Sequence, residues 1–251
     1  FEVLGVDVNQ QVVDTLSTGR LHIQEPGLDI VVKAAVQSEK LHVASAPRKS
    51  DVFILAVPTP LRKEKGQAEP QVDLSHVVSA TEAIAPLLER GNLVILESTS
   101  PPGTTTETVG HTLKELTGLE PGEDFLLCHC PERVLPGKIL RELTQNDRII
   151  GGVNRTSSER AKEIYQTFSG GEIFLTDCVT AELCKLVENS YRDVNIAFAN
   201  EVAAISRKFA VNVYDVIAFA NKHPRVEILS PGPGVGGHCI SVDPWFSRVR
   251  Q

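Results

Sequence analysis

Methionine is absent from the 251-residue sequence, and its first residues, Phe1-Glu2-Val3-Leu4-Gly5-Val6-Asp7, carry the pattern of the middle of an apolar strand, so the expectation is a fragment of a longer chain. Positive charge is in deficit. Twenty-five Lys and Arg against 32 Asp and Glu leave a net charge of −7 and a pI near 5.5, which sets nucleic acid aside as a main partner. No uninterrupted apolar run approaches the ~18 residues of a membrane span, so no membrane partner is expected. The five cysteines (Cys128, Cys130, Cys178, Cys184 and Cys239) are odd in number and lack disulfide-like spacing, and no signal peptide is expected ahead of them. Free thiols, a reducing compartment and a cytoplasmic location follow as expectations. Internal repeats and low-complexity tracts are missing too. With 41% hydrophobic and 23% charged residues, the composition is that of an ordinary globular protein, long enough for one large domain or two modest ones.

Short β-branched runs alternate with amphipathic helical patterns through residue 176, which predicts an α/β fold with βαβ units and a doubly wound parallel sheet. Strands are expected at 1–7, 41–44, 51–57, 92–97, 124–129, 147–152 and 172–176. Helices are expected near 9–18, 27–38, 74–89, 103–117 and 156–168. Strands 51–57 and 92–97 are apolar throughout, as for strands covered by helices on both faces. Beyond Asp177 the pattern changes: residues 179–210 contain neither Pro nor Gly and read as one long helix starting at a Thr or Asp cap, with a second helix near 212–221. The domain change is placed there, giving 1–177 and a helical 178–251.

Open parallel sheets bind ligands at the carboxyl ends of their strands. Asp7 ends the first strand; as the end of a dinucleotide fold's second strand it would hold a ribose, and otherwise it caps the next helix. Strand 51–57 runs into Pro58-Thr59-Pro60 and strand 92–97 into Ser98-Thr99-Ser100, so both ends offer hydroxyls beside rigid turns. Glu132, after Pro131, leaves the sheet on the same rim. The strongest chemical clue is the run Gly232-Pro233-Gly234-Val235-Gly236-Gly237-His238-Cys239. Its glycines allow close backbone approach to a ligand, and a helix starting there would favour the Cys239 thiolate and place Asp243, four residues on, on the same face. Lys185 and Asn189 share one face of the long helix, where they could stabilise an oxyanion. Cys128-His129-Cys130 is too tightly spaced for a zinc ligand pair, and no metal is expected.

Together these segments resemble the nucleotide-sugar 6-dehydrogenases, the family that includes UDP-glucose and GDP-mannose dehydrogenases. The resemblance runs from residue 1 to about 246 through Gly5-Val6-Asp7-Val8-Asn9, Val57-Pro58-Thr59-Pro60, Glu97-Ser98-Thr99, Cys130-Pro131-Glu132-Arg133, Glu182-Leu183-Cys184-Lys185-Leu186 with Asn189, and Gly236-Gly237-His238-Cys239. Around Pro131–Gly137 and Gly237–Phe246 it is greatest to members acting on UDP-N-acetyl-D-mannosamine. The resemblance implies a truncated Rossmann-like NAD-binding domain and a central helical domain, with the Gly-rich turn upstream and a UDP-binding domain downstream of this sequence. On that pattern two NAD oxidise the sugar C6 alcohol to a carboxylate. Cys239 carries the thiohemiacetal and thioester, Glu132 activates water, Lys185 and Asn189 balance charge on the reacting oxygen, and Asp243 orients the water or takes a proton. Thr99 stands between cofactor and substrate, and Asp7 and Thr59 bind NAD. Arg133, Arg225, Gly236 and Gly237 join Glu132, Lys185 and Asn189 in contacting the UDP-sugar. The long helix is expected to form a homodimer, and the fragment alone is expected not to turn over.

Three alternatives stay open: a UDP-N-acetylglucosamine or other UDP-sugar 6-dehydrogenase, a nucleotide-sugar-binding protein without activity, and a dehydrogenase stopping at one hydride. The last two have no need of an acyl-carrying thiol together with Glu132, Lys185, Asn189 and Asp243.

Overall fold

The computed structural model describes residues 1–62, 69–236 and 242–247. The chain opens with β1 (Val3–Val6), α1 (Gln10–Ser17), α2 (Leu28–Gln37) and β2 (Leu41–Ala44), and β1 pairs in parallel with β2, Val3 opposite Leu41. β3 (Val52–Leu55) follows, then a two-residue antiparallel ladder of β4 (Leu61–Arg62) and β5 (Gln71–Val72), which the periodicity did not predict. The rest of the first part is α3 (Ser75–Ile84), β6 (Leu93–Leu96), α4 (His111–Thr117), β7 (Leu126–His129), α5 (Ile139–Gln145), β8 (Arg148–Gly152), α6 (Arg155–Tyr165) and β9 (Ile173–Asp177). The five-stranded sheet has the order β3-β6-β7-β8-β9. No ladder joins β1 to β3 among the described residues. In a doubly wound order with 1–7 as its second strand, those two are not neighbours.

Helices cover the sheet on both faces because its central strands send alternate side chains to opposite sides. Val94 and Leu96 of β6 join Leu127, Val77, Val109 and Leu113 in one core layer, while Leu93 and Ile95 join Cys128, Cys130, Ile150 and Tyr165 in the other. All four β6 side chains are buried, and each such burial stabilises by about 1.5–3 kcal/mol.

Two expectations need correction. The sheet is parallel at three of its four junctions, but β7 and β8 run antiparallel, Cys128 opposite Gly152. A parallel return needs a helix crossing the sheet face; the intervening α5, itself missed in the sequence, is only seven residues long and has no buried residue. The helix expected over 103–117 begins as a π-helix, Thr104–Gly110, before becoming α4. Gly103, at φ +93°, sets up this turn, and a Cβ there would meet the Glu107 carboxyl at 3.2 Å.

β9 leads straight into α7 (Cys178–Lys208), 31 residues long, whose N-cap is Asp177: its carboxylate accepts from the Thr180 N–H at 2.9 Å and the Thr180 hydroxyl at 2.6 Å. α8 (Val213–Ala220) follows after an Asn212 cap, and Asp243–Ser247 form a 3₁₀ turn. The start of α7 packs on the sheet at Gly151 through Cys178 and Ala181, and Leu186 and Ala199 are buried further along, while Leu183, Val187, Tyr191, Val194 and Phe198 leave an apolar stripe 43–68% exposed.

Candidate active site

The carboxyl ends of β3 and β6 are stitched together. Ser98 donates its hydroxyl to the Val57 carbonyl at 2.7 Å, and Thr59 donates to the Thr99 carbonyl at 2.7 Å. The two threonines expected at the cofactor crevice therefore stand side by side, each half-buried. From β7 the chain passes through Cys130 and Pro131 to Glu132, whose Oε1 accepts from the Arg133 and Val134 N–H groups at 2.6 and 3.0 Å.

α7 gathers these ends. Near its start Glu182 accepts from Gly103 and Thr105, in the loop that follows Thr99. Two turns later Glu188 forms a two-pronged ion pair with Arg133, at 2.6 and 3.1 Å, while Arg133 also donates to the Asp147 carbonyl at 2.9 Å. Asn189 donates its amide to the buried Asp243 carboxylate. One helix thus holds the loops bearing Thr99, Glu132 and Asp243. Lys185, half-buried on the same helix, has no ion-pair partner among the described residues. Asn195 and Asn200, further along α7, accept from the Leu229 and Gly232 N–H groups, each at 2.9 Å, and so moor the start of the glycine-rich run.

Cys239 and Gly237 lie outside the described residues. Gly236 is exposed, with open space where a Cβ would be. Arg225 is exposed beyond α8 and no contact joins it to the other site residues among those described. Asp7 ends β1 and accepts from the Asn9 N–H at 2.8 Å, so in this structure it shapes the turn into α1. The Cys128-His129-Cys130 run cannot converge on one ion, because a strand sends the two thiols to one face and the imidazole to the other.

Behind the rim lies a buried polar cluster that no local pattern revealed. Tyr165 donates to the Glu97 carboxylate, and the Arg148 guanidinium sits 4.9 Å from the Tyr165 ring centroid and 5.5 Å from that of Phe168. Burial, with the nearby Glu132 charge, raises the Glu97 pKa against the Tyr165 hydrogen bond. Burial pushes the Cys130 thiol up to about 12, which makes it a core residue and not a nucleophile. Glu188, Asn195 and Asn200 were also missed, and Glu182 was quoted in its segment without a role. Their partners lie in distant segments, so no spacing could have flagged them.

Residues 1–169 match the UDP-glucose/GDP-mannose dehydrogenase family, NAD binding domain, and residues 179–248 match its central domain. The chain belongs to this family. A UDP-N-acetyl-D-mannosamine dehydrogenase of Methanococcus maripaludis is 54% identical over 98% of the chain and 55% of its own length. An NDP-N-acetyl-D-galactosaminuronic acid dehydrogenase of Ralstonia nicotianae is 53% identical over 98% of the chain and 58% of its own. The solved UDP-D-ManNAc dehydrogenase of Pyrococcus horikoshii superposes with a TM-score of 0.92 at 46% identity, covering 98% of this chain and 58% of that one. The chain therefore spans little more than half the length of the curated relatives it matches. Within this family the Rossmann-type α/β fold read from the sequence is the expected one, and the structure has it.

Proposed function

We propose that the protein containing this chain is an NAD-dependent dehydrogenase that oxidises the C6 alcohol of UDP-N-acetyl-D-mannosamine to the carboxylate, four electrons per sugar. The observation that carries this reading is the convergence on α7 of the loops bearing Thr99, Glu132 and Asp243, in a chain about half identical to UDP-N-acetyl-D-mannosamine dehydrogenases.

The donor set suits a dinucleotide: a carboxylate at the end of β1 for a ribose diol, and the hydroxyl-bearing ends of β3 and β6 for the crevice. In this reading residues 1–177 bind NAD through Asp7, Thr59 and Thr99, and 178–251 form the central domain. NAD supplies the hydride acceptor, twice per turnover. The Cys239 thiolate adds to the C6 aldehyde formed in the first oxidation, and the same C–S bond holds the thioester left by the second. Water activated at Glu132 adds to the thioester carbonyl; the C–S bond breaks, freeing the carboxylate and returning the thiol. The Lys185 ammonium and Asn189 amide balance charge on the reacting oxygen, with Asp243, held by Asn189, orienting water or taking its proton. Gly236, Gly237, Arg225 and the remaining N–H groups of Arg133 contact the sugar nucleotide. The near-equal identity to the Ralstonia relative, 53% against 54%, favours its sugar as the second substrate to test.

The protein is taken to be cytoplasmic, where Cys239 stays reduced, and to pair as a homodimer through helix 179–210; the exposed apolar stripe of α7 supports that pairing. The test uses the complete reading frame and counts NADH formed per UDP-N-acetyl-D-mannosamine consumed, beside the N-acetylglucosamine, N-acetylgalactosamine and glucose nucleotides. Two NADH per mannosamine nucleotide is expected, and Cys239→Ser should abolish acid formation. One NADH per sugar would sink the thioester route, and two with another sugar would replace the substrate.

A further inference from the structure

We infer that Glu182 is a positioning residue: its buried carboxylate locks the loop carrying Thr99 onto the helix carrying Lys185 and Asn189. The lock rests on geometry, and its consequence for catalysis rests on the function proposed above.

Glu182 is 1% exposed and has both oxygens committed. Oε2 accepts from the Gly103 N–H at 2.6 Å; Oε1 accepts from the Thr105 N–H at 2.7 Å and the Thr105 hydroxyl at 2.6 Å. No ion pair to a cation balances it among the described residues, so three donors at the opening turn of the π-helix replace the water that the carboxylate lost. Each oxygen faces a backbone N–H, and the ionised form, an acceptor at both oxygens, makes the strongest set of these three bonds. Burial raises the pKa of this carboxyl, and the Thr105 and Gly103 donors act against that.

The segment between is pinned at both ends. At the strand side, Ser98 binds the Val57 carbonyl and the Thr99 carbonyl receives Thr59; at the helix side, Glu182 holds Gly103 and Thr105. Lys185 and Asn189, at i+3 and i+7, lie on the same side of α7 as Glu182. Glu182 therefore ties the loop that follows Thr99 to the helix face carrying those two groups. A glutamine cannot replace it, since its NH₂ would face an N–H donor at one of the two oxygens' places.

The test is Glu182→Gln in the complete reading frame, read by amide exchange of the peptide 98–110 without substrates and by steady-state kinetics. Exchange at Gly103 and Thr105 is expected to speed up about tenfold or more. kcat should fall roughly 100-fold, with KM for NAD and for UDP-N-acetyl-D-mannosamine within about threefold. Exchange at the parental rate overturns the lock, and faster exchange with kcat within about threefold of the parent overturns its role in positioning. Should the Gln variant fail to fold, Thr105→Val, which removes one of the three donors, takes its place in both measurements: parental exchange again overturns the lock, and near-parental kcat with faster exchange again overturns the positioning role. A parent that forms no NADH from any nucleotide sugar sinks the proposed function instead, and the exchange result then decides the lock alone.

Discussion

His129 is fully buried on β7, and neither ring nitrogen has a hydrogen-bond partner among the described residues. Burial pulls its pKa from 6.5 to about 3, so the ring stays neutral in the folded chain. An unfolded chain takes up a proton there below pH 6.5. The stability His129 contributes is complete above that pH, falls by up to about 1.4 kcal/mol per pH unit below it, and stops falling near pH 3. Burial raises the Glu97 and Glu182 carboxyls, which acts in the opposite direction on acidification, so the residue is isolated by comparison with a variant. His129→Leu keeps the volume and removes both unpaired atoms. Its urea midpoint at pH 7.5 is expected to match or exceed the parent's, and its decline between pH 6.5 and 5 to be shallower. Parallel declines would remove His129 from the acid response. The sequence placed this residue in a strand, where alternation separates it from its flanking thiols. That it has no partner depends on what packs against β7, which no pattern within the strand encodes.

Among the elements, α7 was the most legible, because a stretch of about 30 residues without Pro or Gly, preceded by an Asp, leaves little else to form. Its Asp177 cap has a measurable weight. The carboxylate is held below its usual pKa by the Thr180 hydroxyl and N–H, so the cap persists into mild acid. Asp177→Ala should cost about 1 kcal/mol and lower the thermal midpoint by roughly 2–4 °C, with Asp177→Asn recovering most of the loss. An unchanged midpoint in the alanine variant would mean that packing against β8 and β9 alone holds the start of the helix. Elements that depend on remote partners were not legible. α5 is short and has no buried residue, so it carries weak periodicity. The π-helix over Thr104–Gly110 forms where a carboxylate from another element meets its first turn, and the sequence of 103–117 reads simply as a helix.

At the scale of the whole molecule, the stripe of Leu183, Val187, Tyr191, Val194 and Phe198 makes the proposed homodimer testable. In sedimentation velocity of the complete reading frame, the parent is expected to show a dimer over the micromolar range. Val187→Glu, which places a charge on a residue 56% exposed in the single chain, should shift it to monomer with little loss of folded stability. A parent that sediments as a monomer at all concentrations would sink the dimer. By itself the sequence determined the order of the main strands and helices, without β4, β5 and α5, together with the two-sided burial of β6, the length of α7 with its cap, and the residue types waiting at the strand ends. Those features follow from periods of 2 and 3.6 and from capping within a few residues. Only the tertiary structure decided that α7 is the place where the loops of the candidate site meet. Glu182 meets Gly103 and Thr105 across 79 and 77 residues, Arg133 meets Glu188 across 55, and Asn189 meets Asp243 across 54. A hydrogen bond between such distant segments is selected by the packed fold, and it leaves no periodic trace in either of them.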